Sequence, residues 1–366
     1  MRLKYLKTYN FKNIVSFEEE FSNGINCFTG PNSIGKTNLL DSIHYLSFTK
    51  SYFNTLDIKN IRHGENFYAI HGTFSTSSND VKVSCIQREG QKKQFLINEK
   101  PYKRFSEHIG KFPLIMISPY DQDLINDGSE IRRKFADIVI SQFDPKYLES
   151  LVIYNKLLQQ RNNLLKQFAE KNTFDENYLS MWDEQMQPHC NYIFQERNSF
   201  FTELIPVFQQ YYYAISNLNE TVDLQYISQF HEGISLTELL KKNREKDRIL
   251  KHTTAGIHKD DIALFINGYH VKNYGSQGQQ KTYVTALKLA QYDYIKKHKN
   301  LSPILLLDDI FDKLDESRVG NIIKIVGEEQ FGQVFITDTN AERINKLLSR
   351  VHEPGKLFKM EEYNNI

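Results

Sequence analysis

Eight consecutive residues, Gly30-Pro31-Asn32-Ser33-Ile34-Gly35-Lys36-Thr37, have the make-up of an anion cradle. The bounding glycines let backbone N–H groups curl around phosphate oxygens. Lys36 adds a positive charge and Thr37 a hydroxyl, in the full G-x-x-x-x-G-K-[ST] spacing. The flanks suit the motif. Residues 25–28 read as a buried strand leading in, and 37–45 as a helix leading out, whose N-terminus adds its own N–H donors and positive dipole end. The chemistry implied is capture of a nucleoside triphosphate, with Lys36 on the β/γ-phosphates and the Thr37 hydroxyl on Mg²⁺. A ligand-free glycine-rich turn is the plainer reading of the same residues, and the strand–loop–helix setting argues against it.

A second constellation lies far along the chain. Residues 304–307 are uniformly apolar and run into Asp308-Asp309. A strand that simply leaves its sheet at an acidic turn has this pattern. In a chain that also carries a phosphate loop, the pattern is that of a Walker B strand, with Asp308 holding Mg²⁺ and Asp309 orienting or deprotonating the attacking water. A third stretch, Tyr274-Gly275-Ser276-Gln277-Gly278-Gln279-Gln280-Lys281, precedes a helix expected over about 278–297. A serine and a glycine at a helix N-terminus offer another anion-binding surface, although a serine there is also a common N-cap.

Positioning these groups requires a strand–helix alternation. Residues 1–118 read as mainly strand with one helix. An edge strand is expected over 3–11, half-buried strands over 67–74 and 81–86 joined by a turn at 76–80, and an apolar strand over 112–117. From 129 to 246 the spacing turns helical, with helices over 132–143, 147–168 and 177–212, the last broken near Pro188. Strand character returns at 262–266, followed by the helix at 278–297, the strand at 304–307, a helix near 316–327 and a strand at 334–337. Such alternation implies a parallel sheet. The expected fold is α/β: a P-loop ATPase head made of an N-terminal lobe (1–118) and a C-terminal part (251–366), interrupted by a mostly helical insertion (119–250).

Composition narrows the field. The 366 residues carry a net charge of +1, with 40% hydrophobic and 25% charged residues, as in an ordinary globular protein. Near-neutrality does not demand a polyanion partner, so a nucleic-acid role must rest on local patches. Cys27, Cys85 and Cys190 are scattered, without disulfide or zinc spacing. The N-terminus lacks an apolar signal core, and no run approaches the roughly 20 apolar residues of a membrane span. A cytoplasmic protein without membrane contact is expected.

Ser276-Gln277-Gly278-Gln279-Gln280 resembles the signature motif of ABC ATPases, and Lys313-Leu314-Asp315 resembles the D-loop beyond the Walker B acids. That resemblance implies an ABC/SMC-type head. Ser276, Gly278, Gln279 and Asp315 would complete the ATP site of a second subunit, in a head-to-tail homodimer formed on ATP binding. Transporter engines keep phosphate loop and signature close together, and SMC proteins separate them with a long coiled coil. This chain separates them with a compact helical segment.

Further stretches resemble one family, RecF. They are Phe11-Lys12-Asn13-Ile14, Lys36 through Asn38 and on to Ile43, Arg132-Arg133-Lys134-Phe135-Ala136-Asp137, Gln160-Arg161-Asn162, Trp182-Asp183, Thr254 through Asp261, and the paired acids of Leu306-Leu307-Asp308-Asp309. The resemblance spans residues 2 to about 340. It implies an ATP- and Mg²⁺-dependent protein of recombinational gap repair, which binds duplex DNA beside single-stranded gaps. It also implies RecR and RecO as partners, with RecA loaded indirectly. Two departures stand out. Ser33-Ile34 replaces a glycine-rich pair, and Thr337-Asp338-Thr339 stands where a switch histidine is usual. The first leaves the bounding glycines, and so phosphate binding, in place; the second, together with the lack of an identifiable Q-loop glutamine, fits slow hydrolysis. Candidate DNA contacts are Arg132 and Arg133, and Lys241, Lys242 and Arg244 in a run continuing to Lys251, with Lys92 and Lys93 on a possible hairpin. Each run also suits a solvated helix face with i,i+4 ion pairs. Two rival readings are an ABC engine serving a membrane transporter, and a recruiting protein that binds ATP without turnover or DNA.

Overall fold

The strand Ile25–Thr29 is buried along its whole length, and its neighbours explain why. The computed structural model describes residues 1–77, 79–217, 220–312, 314–327, 331–349 and 355–363. Among these, Ile25–Thr29 is second in a five-stranded parallel sheet of order Lys356–Lys359, Ile25–Thr29, Val334–Asp338, Ile304–Asp308, Leu114–Ile117. Strands covered on both faces read as continuous apolar runs rather than alternating ones, and Ile304 to Leu307 are all fully buried. Register brings Phe28 level with Thr337, and Thr337 level with Asp308. Gly30, Thr337 and Asp308 therefore emerge together at the carboxyl edge, where open α/β sheets bind ligands.

A second, antiparallel sheet of the described residues runs Ile14–Glu20, Arg2–Phe11, Phe67–Ser75, Asp80–Arg88, Gln94–Ile97, Lys100–Pro101. Its Arg2–Phe11 strand is paired on both sides, so the edge strand expected from sequence is an interior one. The turn at Lys12-Asn13, with Lys12 at φ 56°, folds 14–20 back onto it, and the other neighbour comes from far along the chain. The helix Lys36–Phe48 packs against strands of both sheets. Leu39, Leu40, Ile43, Tyr45 and Leu46 are all at 0% exposure, as a helix covered on every side requires.

These elements form one compact unit, made of Met1–Asp121, Tyr211–Leu218 and Gln277–Ile366. The other unit comprises Gln122–Gln210 and Asn219–Ser276. Residues 251–276, assigned from sequence to the ATPase part, belong to this second unit. The reason is a strand hidden in the helical stretch: Val222–Ile227 alternates buried Val222, Leu224 and Tyr226 with exposed neighbours and pairs antiparallel with Asp261–Ile266. The unit's long helices are Ser129–Phe143, Pro145–Lys171 and, as far as Gln210, Glu176–Ser216. Asp144 separates the first two, its carboxylate accepting the Tyr147 N–H (3.0 Å) with Pro145 in the first turn. The break expected at Pro188 does not occur. Pro188 and Pro206 both lie inside the third helix, where buried Met186, Cys190 and Ile193 hold the chain helical across the lost hydrogen bond.

Two buried arginines organise this unit. Arg161 pairs with Asp183 (2.6 Å) and Asp247 (2.7 Å), and Arg197 with Asp137 (2.9 Å) and Asp260 (3.2 Å). Buried charge persists only when paired this way. Among the described residues no helix is long and apolar enough to cross a membrane.

Candidate nucleotide site

The phosphate loop is shaped by three residues at positive φ. Gly30 and Gly35 sit at 149° and 110°, and Ser33 at 66°. A Cβ at Gly35 would stand 2.9 Å from Asn13 Oδ1, so only glycine fits. The same Asn13 donates through Nδ2 to the Ser33 carbonyl (2.9 Å) and accepts from Asn38 Nδ2 (2.7 Å). It thereby fastens the one non-glycine left-handed residue of the loop, the residue where the glycine-rich pair is missing. The Ile34 methyl lies against Gly30, and Lys36 Nζ is held by the carbonyls of Gly30 (2.7 Å) and Pro31 (2.8 Å).

Opposite the loop stand the paired acids. Asp308 Oδ1 accepts from the Thr37 hydroxyl at 2.9 Å and from the Thr337 hydroxyl at 2.7 Å. Thr337 Oγ1 in turn accepts the Asp309 N–H at 3.0 Å, which holds Asp309 in a left-handed conformation (φ 45°). Asn32, Ser33, Gly35, Lys36, Thr37, Asn38, Asp308, Asp309 and Thr337 line one cleft of about 120 Å³. Thr37 Oγ1 and an Asp308 oxygen converge as a hydroxyl–carboxylate pair. This is the hard-oxygen donor set Mg²⁺ takes when phosphates and water fill its remaining positions, so the residues fit that ion.

Burial dominates the electrostatics. It pushes the Asp308 carboxyl above its ordinary range, with the Thr337 and Thr37 hydrogen bonds pulling part of the way back. Asp309 is also raised, first by burial and then by Asp312, against Lys281. Lys36 is lowered by burial, opposed by the carboxylates of Asp309, Asp308, Asp338 and Glu361. A multiply charged anion plus a divalent cation would compensate all three groups.

The remaining expected residues fall elsewhere. Ser276 is exposed and immediately precedes the helix Gln277–Lys299, on whose first turn Gly278 and Gln279 lie. Asp315 Oδ1 accepts the Arg318 N–H (2.9 Å), starting the helix Glu316–Gly327. Lys313 of the same loop lies outside the described residues. Arg132 is bidentate to Asp261 (2.6 and 3.0 Å), Arg133 donates to the Asp260 carbonyl (2.6 Å), and Arg244 pairs with Glu176. Lys93 pairs with Asp57 (2.7 Å). Lys241 and Lys242 stay exposed. Sequence reasoning missed the parts played by Asn13 and Thr337, and by Lys281, whose Nζ donates to the Asp312 carbonyl (2.5 Å) and ties the Gln277–Lys299 helix to the turn after Asp309. In the sequence Thr337 stands out only as the residue at the place of a switch histidine; the strand register that sets it level with Asp308 comes from the fold.

Residues 2–360 match the family of RecF/RecN/SMC N-terminal domains, and the fold and site together define an ABC/SMC-type ATPase head. A solved Smc head bound to the C-winged helix domain of ScpA shares that fold at 13% identity, with a TM-score of 0.56 over 95% of this chain and 92% of that one. Within the class, the chain belongs to the RecF family of DNA replication and repair proteins. It is 47% identical over 360 residues to the DNA replication and repair protein RecF of Flavobacterium johnsoniae, covering 98% of this chain and 100% of that one. With the RecF of Phocaeicola vulgatus it shares 46% over 364 residues, covering 99% and 97%. A solved structure of the recombination mediator protein RecF-ATP of the RecFOR pathway is 30% identical, with a TM-score of 0.84 over 92% of each chain.

Proposed function

We propose that the chain is an ATP-gated DNA clamp of recombinational gap repair, and that it works in the cytoplasm. The observation that carries the ATP reading is the meeting of Thr37, Asp308 and Thr337 across a single carboxylate oxygen, beside the loop that holds Lys36. The backbone of residues 30–38 would bind the phosphates and Lys36 the β/γ-oxygens. Thr37 and Asp308 would hold Mg²⁺, which neutralises charge on the phosphates when bound. Asp309 would take the proton of the attacking water; its raised carboxyl is matched to that task.

Ser276, Gly278, Gln279 and Asp315 would act on the ATP of a second copy, so that two subunits close head to tail on two nucleotides. ATP drives closure only by binding the closed dimer more tightly than the open monomer. The closed dimer would hold DNA near a single-strand gap, act with RecR and RecO in loading RecA, and let go after slow, DNA-stimulated hydrolysis. For the DNA contacts, exposed Lys241 and Lys242 are better placed than Arg132, Arg133 and Arg244, whose guanidinium groups are engaged within the second unit. A gel-shift series on duplex, single-stranded and gapped DNA, with and without ATP, tests the reading. ATP should strengthen the shift most on gapped duplex, and a pattern indifferent to ATP on all three refutes gating.

A further inference from the structure

Asp315 immediately precedes the helix Glu316–Gly327 and Gly278 lies in the helix Gln277–Lys299, and one side chain touches both. Arg318, on the first turn of Glu316–Gly327, places Nε 3.4 Å from Asp315 Oδ2 and is 13% exposed, against 56% for its partner. Its Nη1 stands 2.6 Å from where a Cβ on Gly278 would be. Gly278 is thus a glycine beside a guanidinium, and any side chain there would displace it. The pairing is looser than that of three other well-covered arginines. Arg132 grips Asp261 through Nε and Nη2 at 2.6 and 3.0 Å, and Arg161 and Arg197 each meet two aspartates. Among the described residues the Arg318 guanidinium meets only one carboxylate, through one long Nε contact. Its Nη edge is left facing the first turn of the Gln277–Lys299 helix.

We infer that Arg318 is a further catalytic residue beside Gly278 and Asp315, donating its Nη edge to the γ-phosphate of the ATP held by the partner subunit. The inference rests on the head-to-tail reading above. A guanidinium matches phosphate oxygens two at a time, and charge spreads over the γ-phosphoryl oxygens as the bond to the leaving group breaks. Asp315 would orient the side chain rather than neutralise it, since its carboxylate is half in solvent.

Arg318→Met keeps most of the packing against Gly278 and removes the charge; Arg318→Lys keeps the charge and loses the fork. Monomeric ATP affinity, which also reports correct folding, should match wild type in both. Hydrolysis should fall about 100-fold or more in Arg318→Met, as on loss of a transition-state donor, and less in Arg318→Lys. Mixing Arg318→Met with Lys36→Ala subunits should restore activity, because one site of each mixed dimer then carries neither lesion. Wild-type turnover in Arg318→Met overturns the inference and makes the side chain a spacer. Recovery with Ser276→Arg plus Lys36→Ala, but none with Arg318→Met plus Lys36→Ala, also overturns it and leaves the dimer reading intact. No recovery in either mixture, with mixed dimers shown to form, removes both.

Discussion

Thr337→Val removes one hydroxyl and keeps the shape of a fully buried side chain. That hydroxyl donates to Asp308 at 2.7 Å and accepts the Asp309 N–H at 3.0 Å. A hydrogen bond to a carboxylate contributes about 1.5–3 kcal/mol, and a buried N–H left without an acceptor costs about 1–3 kcal/mol. If about 2–3 kcal/mol of this is felt where Asp309 meets the attacking water, turnover falls about 30- to 160-fold. ATP affinity should change far less, since the residue 30–38 loop is untouched. The pH profile should move as well. The Thr337 bond lowers the Asp308 carboxyl against the upward push of burial, so its loss sends the acid limb to higher pH. Thr337→Ser retains the hydroxyl and should hydrolyse close to wild type. Steady-state phosphate release at saturating MgATP, with a fluorescent-nucleotide titration beside it, reads both effects. Turnover of Thr337→Val within about threefold of wild type would show that the bridge plays no part in placing Asp309.

Lys36→Ala should lose measurable nucleotide affinity and ATP-driven dimerisation, read by titration and light scattering; wild-type affinity would remove the phosphate-loop assignment. Asp309→Asn should bind ATP normally yet accumulate ATP-bound dimers, because Asp308 keeps the metal position while the water loses its base. Asp308→Asn should raise nucleotide-free stability at neutral pH. A carboxyl raised by burial penalises the fold while charged, and the penalty disappears as pH falls through the folded pKa towards the ordinary value of about 4. Melting curves across that window should therefore converge at the acid end. Lys241→Ala with Lys242→Ala should weaken DNA binding and flatten its log–log salt slope by roughly 2, leaving the melting curve unchanged. Arg132→Ala should act the other way, destabilising the second unit by stranding Asp261.

Local chemistry made the nucleotide edge legible. The residue 30–37 loop, the apolar run into Asp308 and the serine–glycine start of a helix each announce themselves within a few residues. What stayed hidden depends on partners distant in sequence. Thr337 gains its role from strand register with Asp308, and Asn13 from contact with a loop some way along the chain. Arg132 and Arg133 look like a basic patch until the Asp260-Asp261 pair folds against them. Val222–Ile227 was hidden by its helical surroundings, and with it the neighbour that claims Asp261–Ile266. Arg161 and Asp183, noticed as family-like residues, form a buried ion pair at 2.6 Å and belong to the core of the second unit.

The sheet order also sets a timetable. Ile25–Thr29 is among the first elements made, yet its two neighbours in the sheet, Val334–Asp338 and Lys356–Lys359, are among the last. At about 5–20 residues per second, the ribosome needs roughly 15–60 s to supply them. For that interval a strand that is buried throughout in the finished fold and its glycine loop wait without their partners, while the second unit, whose residues end at Ser276, is already made. The nucleotide edge is therefore completed only once Val334–Asp338 has been made and has left the ribosome, more than 300 residues of synthesis after the loop that it serves.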